Sequence, residues 1–538
     1  MWRSGGTMIL ALALVAGACG GADEAADPPS PSTEATTTTE APATTTAPTT
    51  TEPESEPEDE APAVTVPPGV EGEPIDGGVD SWLTPHLADA SACAPVNDDR
   101  TVATCYRLTV AADRDDPTGG VVSLPIRVVS PVDAQVPGDA VVSPAGGPGF
   151  SGIFRASGLA VDFGRDVVGF DQRGTGAAEP SLECPAADAV FLQNLQQDAS
   201  FDEERGAMVA ATEGCIAEIT AAGVDLTDYN SVENVNDLED IRVALGYEQW
   251  NIVGVSYGGR FALTSMREHP ESIRSVILDS VYDVSYGGPG STFDAIDRAF
   301  DALVDACAAS APCAARGDLG DMLDRVTDRY NTEPIESTVD IDGAPVDFVI
   351  TGDDLIGGLF QAMYDTGLLP LLPSIVGSLD QGETAIVADF IANSVPFSTD
   401  AADLMAYATD CSDNVGLGLL DADLAVVTDP GRLSTVAKSQ LVCPADWTPT
   451  APDYNEPIVS DLPALLYAGG MDPITPPGPT LALADDLANA TSVLVPFGGH
   501  GVWLVDDCAA SISFAFVDDP STPPDTSCAD AYGPLEPA

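Results

Sequence analysis

The stretch NIVGVSYGG, residues 251–259, decides how this chain is read. A short apolar run leads into Gly254-Val255-Ser256-Tyr257-Gly258, and Phe261, Ala262, Leu263 and Met266 follow at helical spacing. A G-x-S-x-G between a strand and a helix is a nucleophile elbow. Its turn is so sharp that a Cβ at either flanking glycine would clash. It lifts the serine hydroxyl above the sheet, at a helix N-terminus whose dipole favours a developing anion. The competing reading is a plain strand-to-helix turn. A near match at DVSYG, 283–287, lacks the first glycine and is discounted.

A serine hydroxyl is a weak nucleophile and needs a base. The chain has three histidines, His86, His269 and His500. His86 precedes the first expected strand. His269 stands before Pro270 and is expected to end the helix after the elbow. His500, in the glycine-flanked VPFGGHGVW, follows the last expected strand and can swing over the sheet edge to Ser256. The orienting acid should lie between serine and histidine in the chain. Asp472, after PALLYAGG and before Pro473, is preferred; Asp279, ending the sixth expected strand in VILDS, is the rival. Asp506 and Asp507 are expected at the surface. The oxyanion hole is expected from the amides of Tyr257 and Gly147, with Gly146 beside it, in SPAGGPGFSG at 143–152.

Outward from the elbow, short apolar runs alternate with longer amphipathic stretches, the pattern of a mainly parallel sheet covered by helices. Eight strands are predicted: 106–110, 121–129, 140–142, 166–170, 251–255, 275–278, 463–467 and 492–495. The helix before the fifth strand is expected to be capped by Ser231, to bury Val235, Leu238, Ile241, Val243 and Leu245, and to stop at Gly246. Another helix is expected near 480–489. Helical periodicity at 293–307 and 321–330 suggests a helical cap inserted into the catalytic core. The expected organisation is core 79–285, cap 286–455 and core 456–538, preceded by a signal at 1–19 and a stalk at 20–78.

Composition sets the compartment. The chain has 538 residues, 44% hydrophobic, and its 86 acidic residues against 19 Lys and Arg give −67. That surface repels nucleic acid, which needs clustered cations. Arg3, an apolar run from Met8 to Val15 and small residues before Cys19 read as an export signal. Cys19 sits where bacterial lipoproteins are acylated; plain cleavage with an incidental Cys is the alternative. Residues 20–78, rich in Thr, Pro, Ala and Glu, cannot bury enough surface to offset their ordering entropy. They should form a stalk with a reach on the order of 150 Å. Setting Cys19 aside leaves ten of eleven cysteines, an even number suited to an oxidising compartment. The nearest-neighbour pairing is Cys93–Cys105, Cys184–Cys215, Cys307–Cys313, Cys411–Cys443 and Cys508–Cys528, among many possible connectivities. No metal site and no cofactor are expected.

These pieces together resemble the proline iminopeptidase and tripeptidyl aminopeptidase group of α/β-hydrolases. AGGPGFSG is similar to that group's oxyanion loop, with Ala145 where His or Gly is common. DQRGTG at 171–176, residues 229–263 and GGMDPITP at 469–476 fit as well, and the cap matches by position and by YATDCSD at 407–413. The resemblance implies an α/β-hydrolase fold and release of amino acids or short peptides from free N-termini. Such chemistry requires an anion in the cap to hold the substrate ammonium. Asp413 and Asp410 are the candidates, with surface acids the alternative reading. Asp171 and Arg173 are read as a structural brace or ion pair. A carboxylesterase using the same triad and a lipid-anchored binding protein without catalysis are the rivals. The expected partners are a peptide or ester substrate and, through Cys19 alone, a membrane; oligomeric state is left open.

Overall fold

The computed structural model describes residues 85–533, except 89, 94–99, 117, 133–137, 154–158, 286–288, 342–343, 390, 392–400, 415–442, 444–446, 448–449 and 452. The expected signal, Cys19 and the stalk lie outside the described residues.

All eight predicted strands are present. In chain order they are β3 (Thr101–Ala111), β4 (Val121–Pro131), β5 (Asp139–Val142), β6 (Val167–Phe170), β7 (Gln249–Val255), β8 (Ile273–Asp279), β11 (Ser460–Gly469) and β12 (Leu487–Val495). Two short strands, β1 (His86–Leu87) and β2 (Ser91–Ala92), add to β3 and complete a ten-stranded sheet. The spatial order is β3-β4-β6-β5-β7-β8-β11-β12. β4 runs antiparallel to β3 and β6, and every pair from β6 to β12 along that path is parallel. β7 lies inside the sheet between β5 and β8, covered on both faces, so its sequence is apolar without alternation.

Two apolar layers sandwich the sheet. On one side Val235, Leu238, Ile241 and Leu245 of the helix Ser231–Leu245 pack with Phe261 and Met266 of the helix Tyr257–Glu268. On the other, Phe163, Trp503 and Phe516 close over Val253, Ile277 and Tyr467. Three expectations need correction. Val243 is 47% exposed, because a 3.6-residue period turns that position away from the stripe. Asn230 is the N-cap of the helix, its side chain accepting from Glu233 N, while the Ser231 hydroxyl donates to Asp413. The helix placed near 480–489 is shorter and earlier, Pro477–Ala482, since β12 begins at Leu487.

The expected cap is not wholly helical. Besides the helices Pro289–Ala309, Leu319–Thr332, Gly352–Ala362 and Leu372–Asp380, it contains an antiparallel pair, β9 (Ile335–Ile341) and β10 (Ala344–Ile350). Both strands carry acids on the exposed side and bury Ile335, Val339, Phe348 and Ile350 in the cap's own core. The ten cysteines pair in the nearest-neighbour set. No helix among the described residues is long and apolar enough to cross a membrane.

Candidate active site

Ser256 follows the last residue of β7 with φ 61° and ψ −125°, a left-handed backbone that a residue with a Cβ adopts only when its surroundings enforce it. The two flanking glycines are sterically required. A Cβ on Gly254 would lie 2.1 Å from Gly258 O, and one on Gly258 would lie 2.8 Å from Pro144 O. The elbow is pinned from both sides: Ser256 N donates to Asp279 O at 3.0 Å, and Tyr282 N donates to Ser256 O at 3.1 Å. Tyr257 is fully buried, its hydroxyl bonded to Ser231 Oγ and Asn234 Nδ2, which fixes the first amide of the helix.

The loop after β11 carries Asp472 and the loop after β12 carries His500. His500 Nδ1 lies 2.9 Å from Asp472 Oδ2. An ionised carboxylate can only accept, so the proton sits on Nδ1 and Nε2 keeps a lone pair. Asp472 is completely buried. Burial raises its pKa, but His500, the amides of Thr475 and Ile474, and the Thr475 hydroxyl hold the carboxyl below its ordinary range. Thr475, which sequence reading did not single out, also sits 3.1 Å from His500 Nδ1. The histidine loop is tied to the end of β8 and packs beside the elbow. Gly501 N donates to Ser280 Oγ at 3.0 Å, and a Cβ on Gly501 would lie 3.0 Å from Val255, the residue before Ser256.

Gly146 packs over the serine, where an added Cβ would lie 3.4 Å from Ser256 Cβ. Gly147 next to it adopts φ 111°. Asp171 ties this loop down, accepting from the Ser151 hydroxyl and from Gly152 N at 3.0 Å, and its other oxygen accepts from Ala177 N. Gln172 Nε2 donates to Ala145 O. Asp171 and Arg173 both brace the site, but not as a mutual pair. The fully buried Arg173 forms two 2.8 Å bonds to Asp237 and donates to Ala112 O and Asp228 O.

The remaining candidates separate by their partners. Asp279 is buried, with Trp503 N and the Ser280 hydroxyl donating to it, and burial pushes its carboxyl up to about 7. His269 ends the elbow helix and bonds Asn236 Oδ1; His86 lies in the short edge strand β1. Asp507 is exposed, whereas Asp506 is half-buried and caps the helix Asp507–Asp518. The two acids on the helix Asp403–Asn414 differ sharply. Asp413 is 1% exposed and accepts from Ser231 N, the Ser231 hydroxyl and the Thr450 hydroxyl, with Arg260 3.8 Å away. Its oxygens are consumed inside the protein, so the expectation of a substrate-binding Asp413 is corrected: it anchors Ser231 and, through it, Tyr257. Asp410 is half-buried, and its bonds to described residues are long, 3.4 Å from the Tyr282 hydroxyl and 3.3 Å from Asn414 Nδ2. Burial pushes its carboxyl up to about 6. Arg260, also unanticipated, is a buried cation stacked 3.9 Å over the Tyr282 ring and bonded to Asn414 and Asp283 O, clamping the elbow helix to this part of the cap. An Arg in GGRFALTSM was its only sequence signal.

The strand order with β4 reversed, an elbow at the end of a central strand, and acid and histidine on the next loops form one pattern. A family profile described as alpha/beta hydrolase fold matches residues 139–305, and one described as TAP-like protein matches 433–528. The chain has the α/β-hydrolase fold. It is 32% identical over 194 residues to a serine protease Hip1 of Mycobacterium tuberculosis, covering 34% of this chain and 36% of that protein. It is 28% identical over 198 residues to a tripeptidyl aminopeptidase of Streptomyces lividans, with 34% and 36% covered. A proline iminopeptidase of Xylella fastidiosa is 34% identical over 58 residues, 11% of this chain and 18% of the relative. The first two matches span about a third of the relatives' length.

Within this α/β-hydrolase core the Arg173–Asp237 pair bears directly on the site's floor. Asp237→Ala leaves the Arg173 charge buried without its main acceptor and is expected to cost about 3–5 kcal/mol of stability. Thermal and denaturant unfolding of the purified variant measures this; a loss below about 1 kcal/mol contradicts it.

Proposed function

We propose that the chain is a serine hydrolase that releases amino acids or short peptides from free N-termini through an acyl-enzyme on Ser256. The observation that carries the hydrolase reading is the 2.9 Å contact of His500 Nδ1 with buried Asp472, on a loop tied to the end of β8, where the Asp279 carbonyl also accepts the Ser256 amide. His500 Nε2 removes the Ser256 proton as Oγ attacks the scissile carbonyl. The tetrahedral oxyanion is held by the amides of Tyr257 and Gly147, with Gly146 giving the backbone room to approach. Asp472 holds the imidazole's tautomer and stabilises the imidazolium. Collapse breaks the C–N bond and His500 donates its proton to the leaving amine. Water activated by the same imidazole then attacks the acyl-enzyme and restores Ser256.

The exopeptidase reading is supported by Asp410. Tyr282 donates its amide to the Ser256 carbonyl and its hydroxyl to Asp410, so one tyrosine links the backbone at the nucleophile to the carboxylate. An ammonium bound at Asp410 would set how far the scissile bond lies from the N-terminus. The names of the relatives, a serine protease, a tripeptidyl aminopeptidase and a proline iminopeptidase, agree with this reading.

We further propose export, with lipidation of Cys19 as the anchor or release to the exterior if that thiol is not used. Five disulfides among the described residues support an oxidising compartment.

Fluorophosphonate labelling of the full chain should vanish in Ser256→Ala and fall by orders of magnitude in Asp472→Asn. Labelling that survives Ser256→Ala removes the serine mechanism and leaves a binding protein. On a panel of free and N-blocked peptide amides beside short-chain esters, blocking should abolish peptide cleavage; turnover of esters alone selects the carboxylesterase. The Asp410 carboxylate must be ionised to hold an ammonium, and its pKa lies above the ordinary range. The ratio of peptide to ester kcat/KM therefore falls as pH drops through about 6 in the native enzyme and stays flat in Asp410→Asn. Taking the ratio cancels effects common to both reactions, and a ratio independent of pH in the native enzyme excludes Asp410. Radiolabelled palmitate should enter the native chain in a bacterial host and be lost in Cys19→Ser; equal incorporation rejects the anchor.

A further inference from the structure

The loops that carry Asp472 and His500 are built into the cap as much as into the sheet. Arg298, on the cap helix Pro289–Ala309, donates from Nη1 to Gly470 O at 2.9 Å and from Nη2 to the carbonyl of Asp472 itself. On the histidine loop, His500 N donates to Tyr364 O and Gly499 N donates to Thr366 Oγ1, both at 3.0 Å. The Tyr364 ring meets the imidazole edge to face at 4.9 Å. The approach is so close that a Cβ on Gly499 would stand 2.4 Å from Met363 O. Apolar packing points the same way. Met471 from the acid loop belongs to the cap's own core, and Ile474 and Phe497 pack against it. The two loops are also tied to each other, Gly470 N to Val495 O and Met471 N to Gly498 O, each at 2.9 Å. Hydrogen bonds and packing thus join both loops to each other and to the cap.

We propose that this half of the cap is a fixed part of the catalytic apparatus, with Arg298 a positioning residue for the acid and the Tyr364–Thr366 turn a positioning element for the base. Lifting it as a lid would withdraw the donors from Asp472 O and Gly470 O and the acceptors from the amides of Gly499 and His500. Carbonyls and amides so exposed inside a site do not keep a side chain within a few tenths of an ångström of its working place. Catalysis depends on that placement, because a misoriented carboxylate no longer stabilises the imidazolium. The cap thus acts on the chemical step and not only on which substrates enter.

The inference rests on the triad reading above, and one probe separates the two. The second-order rate of fluorophosphonate labelling is measured on the full chain, beside kcat and KM for p-nitrophenyl acetate, a substrate too small to need a cap subsite. Arg298→Ala should lower the labelling rate and the acetate kcat at least tenfold, with KM within twofold and the thermal midpoint within a few degrees. Millimolar guanidinium should restore part of the rate, and Arg298→Lys should be intermediate. Weaker stabilisation of the imidazolium should also move the acid limb of the labelling rate to lower pH. If Arg298→Ala does not fold, Thr366→Val, which removes only the acceptor of Gly499 N, should still lower labelling severalfold. Native protein that does not label ends the triad reading. Native protein that labels, with folded variants that label at the native rate or lose only peptide KM, overturns this proposal alone.

Discussion

A carboxylate with no exposure to water sits at the centre of this structure. Removing such an ion from solvent costs several kcal/mol unless donors replace the hydration shell. Around Asp472 those donors are the His500 imidazole, two successive amides and the Thr475 hydroxyl. Satisfying the charge and aiming the imidazole are one event, since the same oxygen takes both the Nδ1 proton and the threonine hydroxyl. The turn that presents Asp472 must therefore be rigid, and the histidine loop must meet it in a single register.

That requirement explains how the neighbouring structure is spent. The sheet supplies rigid strand ends: β7 aims Ser256, β11 aims Asp472 and β12 begins the path to His500. Strand ends alone leave the connecting loops short of partners, so other elements provide them. Ser280 takes the Gly501 amide, Asp279 takes the Trp503 amide and, through its carbonyl, the Ser256 amide. One strand end thereby couples nucleophile and base. The glycine-rich loop over the serine is fixed by Asp171, whose two oxygens hold both that loop and the next. Beneath it, Arg173 and Asp237 form a buried pair with matched geometry, which costs little so long as both members remain.

The cap contributes to the same problem from above. Arg260 stacks on Tyr282 and bonds Asn414, so the helix bearing Asp410 and Asp413 is joined to the helix that starts at the nucleophile. Asp413, Ser231 and Tyr257 then form a buried chain of hydrogen bonds ending on the residue whose amide we propose for the oxyanion hole. With Arg298 on the acid loop, the cap is continuous with the machinery it covers.

Much of this is legible in the sequence. The elbow could be read because a strained strand-to-helix turn demands glycines at two fixed offsets around Ser256, and His500 because only three histidines exist and two stand near helix or domain ends. Asp472, the eight strands and the disulfide pairs followed from chain order, apolar runs and proximity in sequence. These features rest on local backbone preference and spacing, which the sequence carries by itself. What it did not carry was partnership between distant groups. Asp410 and Asp413 lie one helical turn apart in the same acidic segment, and no pattern distinguishes them. Only the packed structure, by giving one Ser231 and Thr450 and the other long bonds to Tyr282 and Asn414, set them in different surroundings. The same holds for Arg173 choosing Asp237 over Asp171, and for Arg298 reaching Asp472. A buried charge takes whichever partner the fold brings within reach, and that reach is set by the whole of the packing, never by a neighbourhood in the chain.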